Sequence, residues 1–333
     1  MSIKGTEAIG HAVVTGGAGA IGSRLVRRLL ELGAERVVVV DDLSSGFEWL
    51  VSTDPRVTFR RLDVCNLLDA NLEVERPLVF HLAAFFANQN SVDHPRADLH
   101  TNGDGTLTTL MWSERLRARR VVYASAGCSI AGHGHDGAIR EDMPVSLHLD
   151  TPYQITKALG EFYCNYFNSR VPTVRCRFFN SFGPGEVPGS YRNVIPNFIW
   201  KALHDAPLTI TGTGTETRDF IYVDDLVEGL VLSALRPAAV GEAINLGTGV
   251  QTTVQWLAET IIRECGSKSK IEYAARRSWD RSTHREADIS RAKRLLELSP
   301  KGDVLSGLRA TIGWFHENRE QIAAASSGTR SAP

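Results

Sequence analysis

The chain has 333 residues, enough for one large domain or two modest ones. Its 37 basic and 38 acidic side chains leave a formal net charge of 37 − 38 = −1, so no whole-molecule field favours nucleic acid or an anionic membrane, and an anionic ligand has to be held locally. The five cysteines, Cys65, Cys128, Cys164, Cys176 and Cys265, are odd in number and scattered, none in a C-x-x-C pair with zinc-ligand spacing, which points to reduced thiols and no metal centre.

Residues 1–10 lack a basic stretch followed by an apolar core, and no apolar run nears the roughly 20 residues needed to span a bilayer. The expectation is a cytoplasmic protein. Residues 11–15, 36–40, 57–61, 78–81 and 120–125 read as short buried strands separated by helical stretches, and that alternation implies βαβ units with a parallel sheet. Residues 20–32 put Ile21, Leu25, Leu29 and Leu32 on one helical face, and residues 92–116 hold a long helix after Pro95. The pattern changes at Phe182, where an irregular Gly/Pro segment runs to Tyr191. Shorter strand signals follow at 208–211, 219–223, 243–246 and 271–273. The reading is a first domain over 1–180, rejoined by about 219–250, a smaller α/β domain over 181–322 interleaved with it, and a disordered Ser/Ala/Gly-rich tail over 323–333. No internal repeat is visible.

The first strand runs directly into Gly16-Gly17-Ala18-Gly19-Ala20-Ile21-Gly22 and then into a helix. Glycines at a strand-to-helix turn permit a tight bend and close approach of main chain to a pyrophosphate, while the helix N-terminus offers unpaired N–H groups and the positive end of its dipole. In this context the loop indicates a dinucleotide-binding, Rossmann-type doubly wound parallel sheet. The second strand ends at Asp41-Asp42, which either accepts both hydroxyls of an adenosine ribose or is a solvated strand-end acid. No arginine follows before Gly46 to receive a 2′-phosphate, which favours NAD over NADP. Asp63-Val64, after the third strand, either address the adenine or cap the turn at Asn66.

Thr151-Pro152-Tyr153-Gln154-Ile155-Thr156-Lys157 begins a helix, with Asp150 or Thr151 as N-cap and Pro152 in the first turn. Tyr153 and Lys157 therefore share a face. A phenol near pKa ~10 is a poor base at neutral pH, but an ammonium one turn away and a cationic nicotinamide both favour the phenolate. Such a tyrosine takes a proton from a sugar hydroxyl while the carbon beneath gives hydride to the cofactor.

With these residues in view, the chain resembles an extended short-chain dehydrogenase/reductase of the NAD-dependent sugar epimerase/dehydratase group. The matching segments are the glycine loop, Asp41-Asp42-Leu43-Ser44-Ser45-Gly46, His81-Leu82-Ala83-Ala84, Asn102-Gly103-Asp104-Gly105-Thr106, the Tyr/Lys pair, Arg177-Phe178-Phe179-Asn180-Ser181-Phe182-Gly183-Pro184 and Arg218-Asp219-Phe220-Ile221-Tyr222-Val223-Asp224-Asp225. The resemblance implies that Gly16, Gly19, Ala20, Ile21, Asp41, Asp42, Ser44, Gly46, Asp63, Val64, Leu82, Ala83, Ala84 and Asn102 line the cofactor together with Tyr153 and Lys157. It implies that Asn180, Asn193, Val194, Thr209 and Thr211 hold a nucleotide-sugar, that Arg218 and Arg277 meet its diphosphate, and that Asp280 takes its ribose. It also implies a homodimer through the helices around 99–116 and 152–167, whose apolar surplus equally suits a core.

The family places a Ser or Thr just after the fifth strand to hydrogen-bond the reacting hydroxyl, and strict register puts Ala126 there. Ser125 is the first candidate for that role and Ser129 the second, with Cys128 a less favoured nucleophile. Dehydratases of the group resemble one another in an Asp-Glu pair after that position and decarboxylases in a Glu. Here the run is Ala126-Gly127-Cys128-Ser129. Without those carboxylates only the parts for oxidising and re-reducing one carbon remain, which implies 4-epimerisation, of a UDP-sugar by resemblance. A one-way reductase or dehydrogenase shares the same sites, and an NAD-binding regulatory protein shares the fold. Arg192, beside Asn193, either pairs with a sugar C6 carboxylate, which would favour UDP-glucuronate and UDP-galacturonate over the hexoses, or is a surface or diphosphate-facing arginine.

Overall fold

In the computed structural model, which describes residues 8–127, 131, 132, 135, 137–301 and 303–327, the strands expected in the first half all form. They are β1 (His11–Thr15), β2 (Arg36–Asp41), β3 (Val57–Arg61), β4 (Leu78–His81) and β5 (Arg120–Ala126). After them come β6 (Ala138–Ile139), β7 (Thr173–Phe178), β8 (Asn180–Phe182), β9 (Leu208–Thr211), β10 (Thr217–Tyr222), β11 (Ala243–Leu246), β12 (Gln251–Thr253), β13 (Ile271–Ala274) and β14 (Glu286–Ala287). A seven-stranded parallel sheet runs β11-β7-β5-β4-β1-β2-β3. The order turns back between β1 and β4, and in such sheets the crevice at that switch point, outside the carboxyl ends of the strands, is where ligands bind.

Period-two alternation decides which core each strand residue joins. Ala12, Val14, Val37, Val39, Phe80, Val122 and Val174 face helices Ala20–Glu31 and Val223–Leu235, while Val13, Val38, Val40, Val79, Val121 and Tyr123 face Gly105–Arg115 and Pro152–Phe167. A separate apolar cluster joins helices Val194–Ala202, Val254–Glu264 and Val304–Glu317 through Phe198, Leu257, Leu308 and Phe315.

Three features depart from the sequence reading. Strand β7 had no sequence signal, because Arg175 and Arg177 interrupt its apolar run; Arg177 is buried there by pairing with Glu161 at 2.7 Å. The long helix over 92–116 is divided into Asn88–Asp93, Pro95–Asp98, a π-helical turn Leu99–Asp104 and Gly105–Arg115. The tail expected to be disordered from 323 is helical through 327, as part of Arg319–Ser327, because Ile322 is fully buried against the second cluster. Among the described residues no helix is long and apolar enough to cross a membrane.

Candidate active site

The carboxyl ends of β1, β2, β4 and β5 open into one cleft. Gly16 leaves β1 with φ +71, and a Cβ on it would lie 2.7 Å from Ala83 N, so the loop can pass the end of β4 only as glycine. A Cβ on Gly22 would strike Gly16 O, which lets helix Ala20–Glu31 begin directly under the loop. Gly19, Ala20 and Ile21 line the cleft at that helix N-terminus. Asp41 is buried at the end of β2, where Oδ2 accepts from Ala18 N at 3.0 Å and Oδ1 from Leu43 N at 2.9 Å. Asp42 accepts from Ser44 N and Oγ. With Gly46 they form the wall next to Asp63 and Val64. Asp63 does cap its turn, accepting from Cys65 N at 2.8 Å, yet still faces the cleft. Leu82, Ala83 and Ala84 form the opposite wall, set by Thr15 Oγ1, which accepts from Ala83 N at 3.3 Å and shares a hydrogen bond with His81 Nδ1 at 2.8 Å. Burial drives His81 down to about 3, so it is a neutral strut.

Asn102 does not line this cleft. It is buried one layer behind, where Nδ2 donates to Asp98 Oδ1 at 2.8 Å and Oδ1 accepts from Phe85 N at 2.9 Å. The π-turn adds a residue to the helix and brings Thr101 to the surface of the cleft instead. Asn102 therefore shapes the 85 loop that follows β4.

Thr151 is the N-cap of helix Pro152–Phe167: its Oγ1 accepts from Gln154 N and donates to Asn88 Oδ1 at 2.8 Å. Tyr153 N donates to Ser91 Oγ, so the short helix Asn88–Asp93 fixes the first turn. Tyr153 and Lys157 both face the cleft, with Lys157 Nζ 5.7 Å from the Tyr153 ring centre and donating to Ala124 O at 2.9 Å. Burial lowers Lys157 to about 8, and the Asp98 carboxylate pulls it back up. Burial likewise raises Asp98 to about 6, against hydrogen bonds from Thr156 and Asn102 and the attraction of Lys157. At neutral pH Lys157 is thus mainly an ammonium beneath Tyr153.

Ser125 reaches the cleft, but its hydroxyl donates to Glu161 Oε1 at 2.5 Å, and Glu161 is held by Arg177 Nε and Nη2 at 2.8 and 2.7 Å. The reason is register: Ser125 shares with Val121 and Tyr123 the face of β5 that packs on helix Pro152–Phe167. Ala126, beside it in the cleft, offers no hydroxyl. Cys128 and Ser129 lie outside the described residues.

At the sugar-side end, Asn180, Arg192 and Asn193 line the cleft, but Val194, Thr209, Thr211, Arg218, Arg277 and Asp280 do not. Thr209 and Thr211 belong to β9, which pairs with β13, and Thr209 Oγ1 accepts from Lys201 Nζ. Arg218 Nη2 makes a two-oxygen pair with Asp280 at 3.1 and 3.0 Å, so the cation expected at a diphosphate and the acid expected at a ribose satisfy each other. Arg277 lies over the Trp279 ring at 5.7 Å. Arg192 Nη2 donates to Ser45 O at 2.7 Å, bridging to the adenosine side. Glu186, raised to about 7 by burial against the pull of Arg192, accepts from Asn193 Nδ2 at 2.7 Å. Phe86, Ala87, Asn88, Phe179 and Ser181 complete this end, along with Arg285. Phe179 and Ser181 belong to a family-matching segment that gave neither a role, and sequence reasoning missed Phe86, Ala87, Asn88 and Arg285 because no periodicity or motif marks them.

The model of the NAD dependent epimerase/dehydratase family matches residues 12–247. The chain belongs to that family. It is 34% identical over 320 residues to a UDP-glucose 4-epimerase of Mycolicibacterium smegmatis, covering 93% of this chain and 100% of that protein. Its fold is similar to that of the epimerase Mth375 of Methanothermobacter thermautotrophicus, with 44% identity, a TM-score of 0.91 and 96% of each chain covered. It is also similar to the Bordetella bronchiseptica enzyme WbmF, solved with NAD+ and UDP, at 36% identity, a TM-score of 0.82 and 95% of each chain.

NAD is the cofactor of this family member, and the cradle fits it. The close-approach glycines at 16 and 22, the helix N-terminus behind Gly19 and the acid at the end of β2 supply what a pyrophosphate and an adenosine ribose require. Near the adenosine end, Asp63, Cys65 and His100 bring possible ligand atoms within 4.8 Å of one another. Burial, with Asp63 adding to it, pushes the Cys65 thiol up to about 12, and Asp63 is spent on its cap, so this group reads as a capped turn.

Proposed function

We propose that the chain is a nucleotide-sugar 4-epimerase acting on a UDP-linked sugar. The observation that carries this reading is Tyr153 over the buried Lys157 ammonium at the end of a β5 strand that runs into Ala126-Gly127-Cys128-Ser129, where the acid and base for eliminating water or losing a carboxyl group are missing. Bound NAD supplies a hydride acceptor that can return what it takes. Tyr153, its phenolate favoured by Lys157, removes the proton from the sugar 4-hydroxyl and gives it back after the 4-keto sugar has turned over. Lys157 holds that charge from below and is positioned by Ala124 O. Asp41, at the end of β2 in the cleft wall, is the acid placed to accept from the ribose hydroxyls. Asn180 and Asn193 orient the nucleotide-sugar. Ser125 positions the end of β5 through Glu161, so we assign the proton transfer to Tyr153 and give Ser125 no contact with the sugar.

Incubating the NAD-loaded protein with UDP-hexoses and UDP-uronates and following the C4 proton by NMR tests the reading. A C4 epimer without added reductant is expected. A 4-keto-6-deoxy product, or stoichiometric NADH, would overturn it. The exposed Met111, Ile155, Phe162 and Tyr166 on helices Gly105–Arg115 and Pro152–Phe167 support a homodimer through that surface.

A further inference from the structure

Helix Asn88–Asp93 has six residues, whereas an isolated helix needs about 12–15 to be marginally stable. Its N-cap, Ala87, offers no side-chain oxygen, and its one apolar residue, Val92, is 41% exposed. Side-chain hydrogen bonds on two faces fix it instead. Asn88 and Ser91 share one face: Ser91 Oγ accepts from Tyr153 N at 3.1 Å and Asn88 Oδ1 accepts from Thr151 Oγ1 at 2.8 Å, so the helix sets the turn that carries Tyr153. Gln89 and Asp93 share the other, where a continuous chain of hydrogen bonds runs from Trp279 to Tyr191. Trp279 Nε1 donates to Gln89 Oε1 at 2.7 Å, Gln89 Nε2 donates to Asp93 Oδ1 at 3.0 Å, and the Tyr191 hydroxyl donates to Asp93 Oδ2 at 3.1 Å. The Tyr191 ring also meets the His94 ring edge-on, with centroids 6.3 Å apart.

Trp279 and Tyr191 come from two separate segments of the second half of the chain, and each adjoins a residue of the sugar end. Arg192 and Asn193, next after Tyr191, line the cleft, and Asp280, next after Trp279, holds Arg218. We propose that the hydrogen-bonded chain through Gln89 and Asp93 couples these substrate-side segments to Tyr153, with Trp279 and Tyr191 as positioning residues that act through helix Asn88–Asp93. This rests on the reading of Tyr153 as the proton acceptor and adds how the phenol is brought to the sugar. A base has to lie within hydrogen-bonding reach of the proton it takes, and a misplacement of about 1 Å can cost about 100-fold in rate. Trp279 and Tyr191 stand outside the cleft lining, so breaking the chain slows the proton transfer and leaves the hold on cofactor and nucleotide as it was.

The test compares the NAD-loaded parent with Trp279→Phe, which keeps an aromatic ring and loses the N–H donor, with Gln89→Ala, which cuts the chain in its middle, and with the double variant. Exchange of the Tyr153 amide hydrogen is followed by NMR, UDP affinity by calorimetry, and kcat and KM on the UDP-sugar that the parent epimerises. Each single variant is expected to speed Tyr153 amide exchange and to lower kcat about 3- to 10-fold, the range for one hydrogen bond, with KM and the UDP and NAD affinities within about twofold of the parent. The double variant should be no slower than Gln89→Ala alone, because both changes break one chain. An unchanged kcat, a loss of UDP affinity at unchanged kcat, or losses that multiply in the double variant would overturn the proposal. Amide exchange requires no substrate, so the two readings fail separately. A parent that makes no C4 epimer would sink the epimerase reading, and faster Tyr153 exchange in the variants would still uphold the coupling, whereas unchanged exchange would sink the coupling by itself.

Discussion

The adenosine end of the cleft is made by main chain, and the sugar end by side chains from segments far apart in sequence. At the first, Gly16, Gly19 and Gly22 bring backbone to the ligand, and Asp41 ties the loop to β2 through two N–H groups. At the second, Asn88 opens a short helix, Asn180 opens β8, Glu186 and Arg192 share the segment before helix Val194–Ala202 and Arg285 precedes β14, and several are already paired with protein groups. A backbone cradle specifies a cofactor common to a family, whereas side-chain pairs can be exchanged one at a time to change the substrate. Changes at the two ends should therefore separate cofactor binding, chemistry and sugar choice.

The largest effect belongs to the group between the two ends. Tyr153→Phe should lower kcat about 10²- to 10⁴-fold while leaving NAD affinity within a few-fold of the parent, as read by single-turnover kinetics and fluorescence titration. A variant as active as the parent would remove Tyr153 from the chemistry. At the main-chain end, Gly22→Ala forces a methyl into Gly16 O. It should weaken NAD by at least about tenfold, roughly 1.4 kcal/mol, and unchanged affinity would show that the loop does not cradle the cofactor.

A smaller effect comes from Asp98, whose carboxylate holds Lys157 up against the cost of burial. Asp98→Asn removes that support, so the lysine loses its proton at lower pH. Catalysis needs the ammonium, and the alkaline limb of kcat/KM, set near 8 in the parent, should move to lower pH. A limb that stays in place or moves up would refute the coupling. The groups Lys157 meets besides Asp98 are the Tyr123 and Tyr153 rings, Cys164 and the neutral His81.

The smallest effect lies at the sugar end. Glu186 has its folded value raised from 4.5 to about 7 by burial, so the folded chain binds that proton more tightly than the unfolded one. The resulting stability is fully present below about 4.5 and is lost as pH rises through about 7. Glu186→Gln should therefore be more stable than the parent at pH ~8.5 by on the order of 1 kcal/mol, about 2 °C in Tm, with the difference vanishing near pH ~4.5. A gap of the same size at both pH values would contradict the buried proton.

The same contrast explains what could be read from the sequence. Strands β1 to β5, the glycine loop, Asp41 and the Tyr153/Lys157 pair were legible because each follows from a local rule: period two, a strand-to-helix turn, or one turn of helix. Thr151 as a cap was legible for the same reason. Strand β7 was not, since Arg177 is buried there only because Glu161 arrives from another helix. Arg218 and Asp280 were expected to hold a ligand and hold each other, a pairing across 62 positions that no local pattern records. Arg285 sits in the Arg-rich run with nothing in its spacing to distinguish it from Arg277. Ser125 was chosen because it adjoins the place just after the fifth strand where the family has a Ser or Thr, whereas strand register turns its hydroxyl to Glu161.

The central claim is that one carbon is oxidised and reduced by the same bound cofactor. Its most direct test is turnover of a UDP-sugar carrying deuterium at C4, in ordinary water, with NAD bound to the protein only. The C4 epimer should form with the deuterium retained at C4 and no NADH accumulating. Epimer whose C4 position has lost its deuterium to solvent would contradict the account.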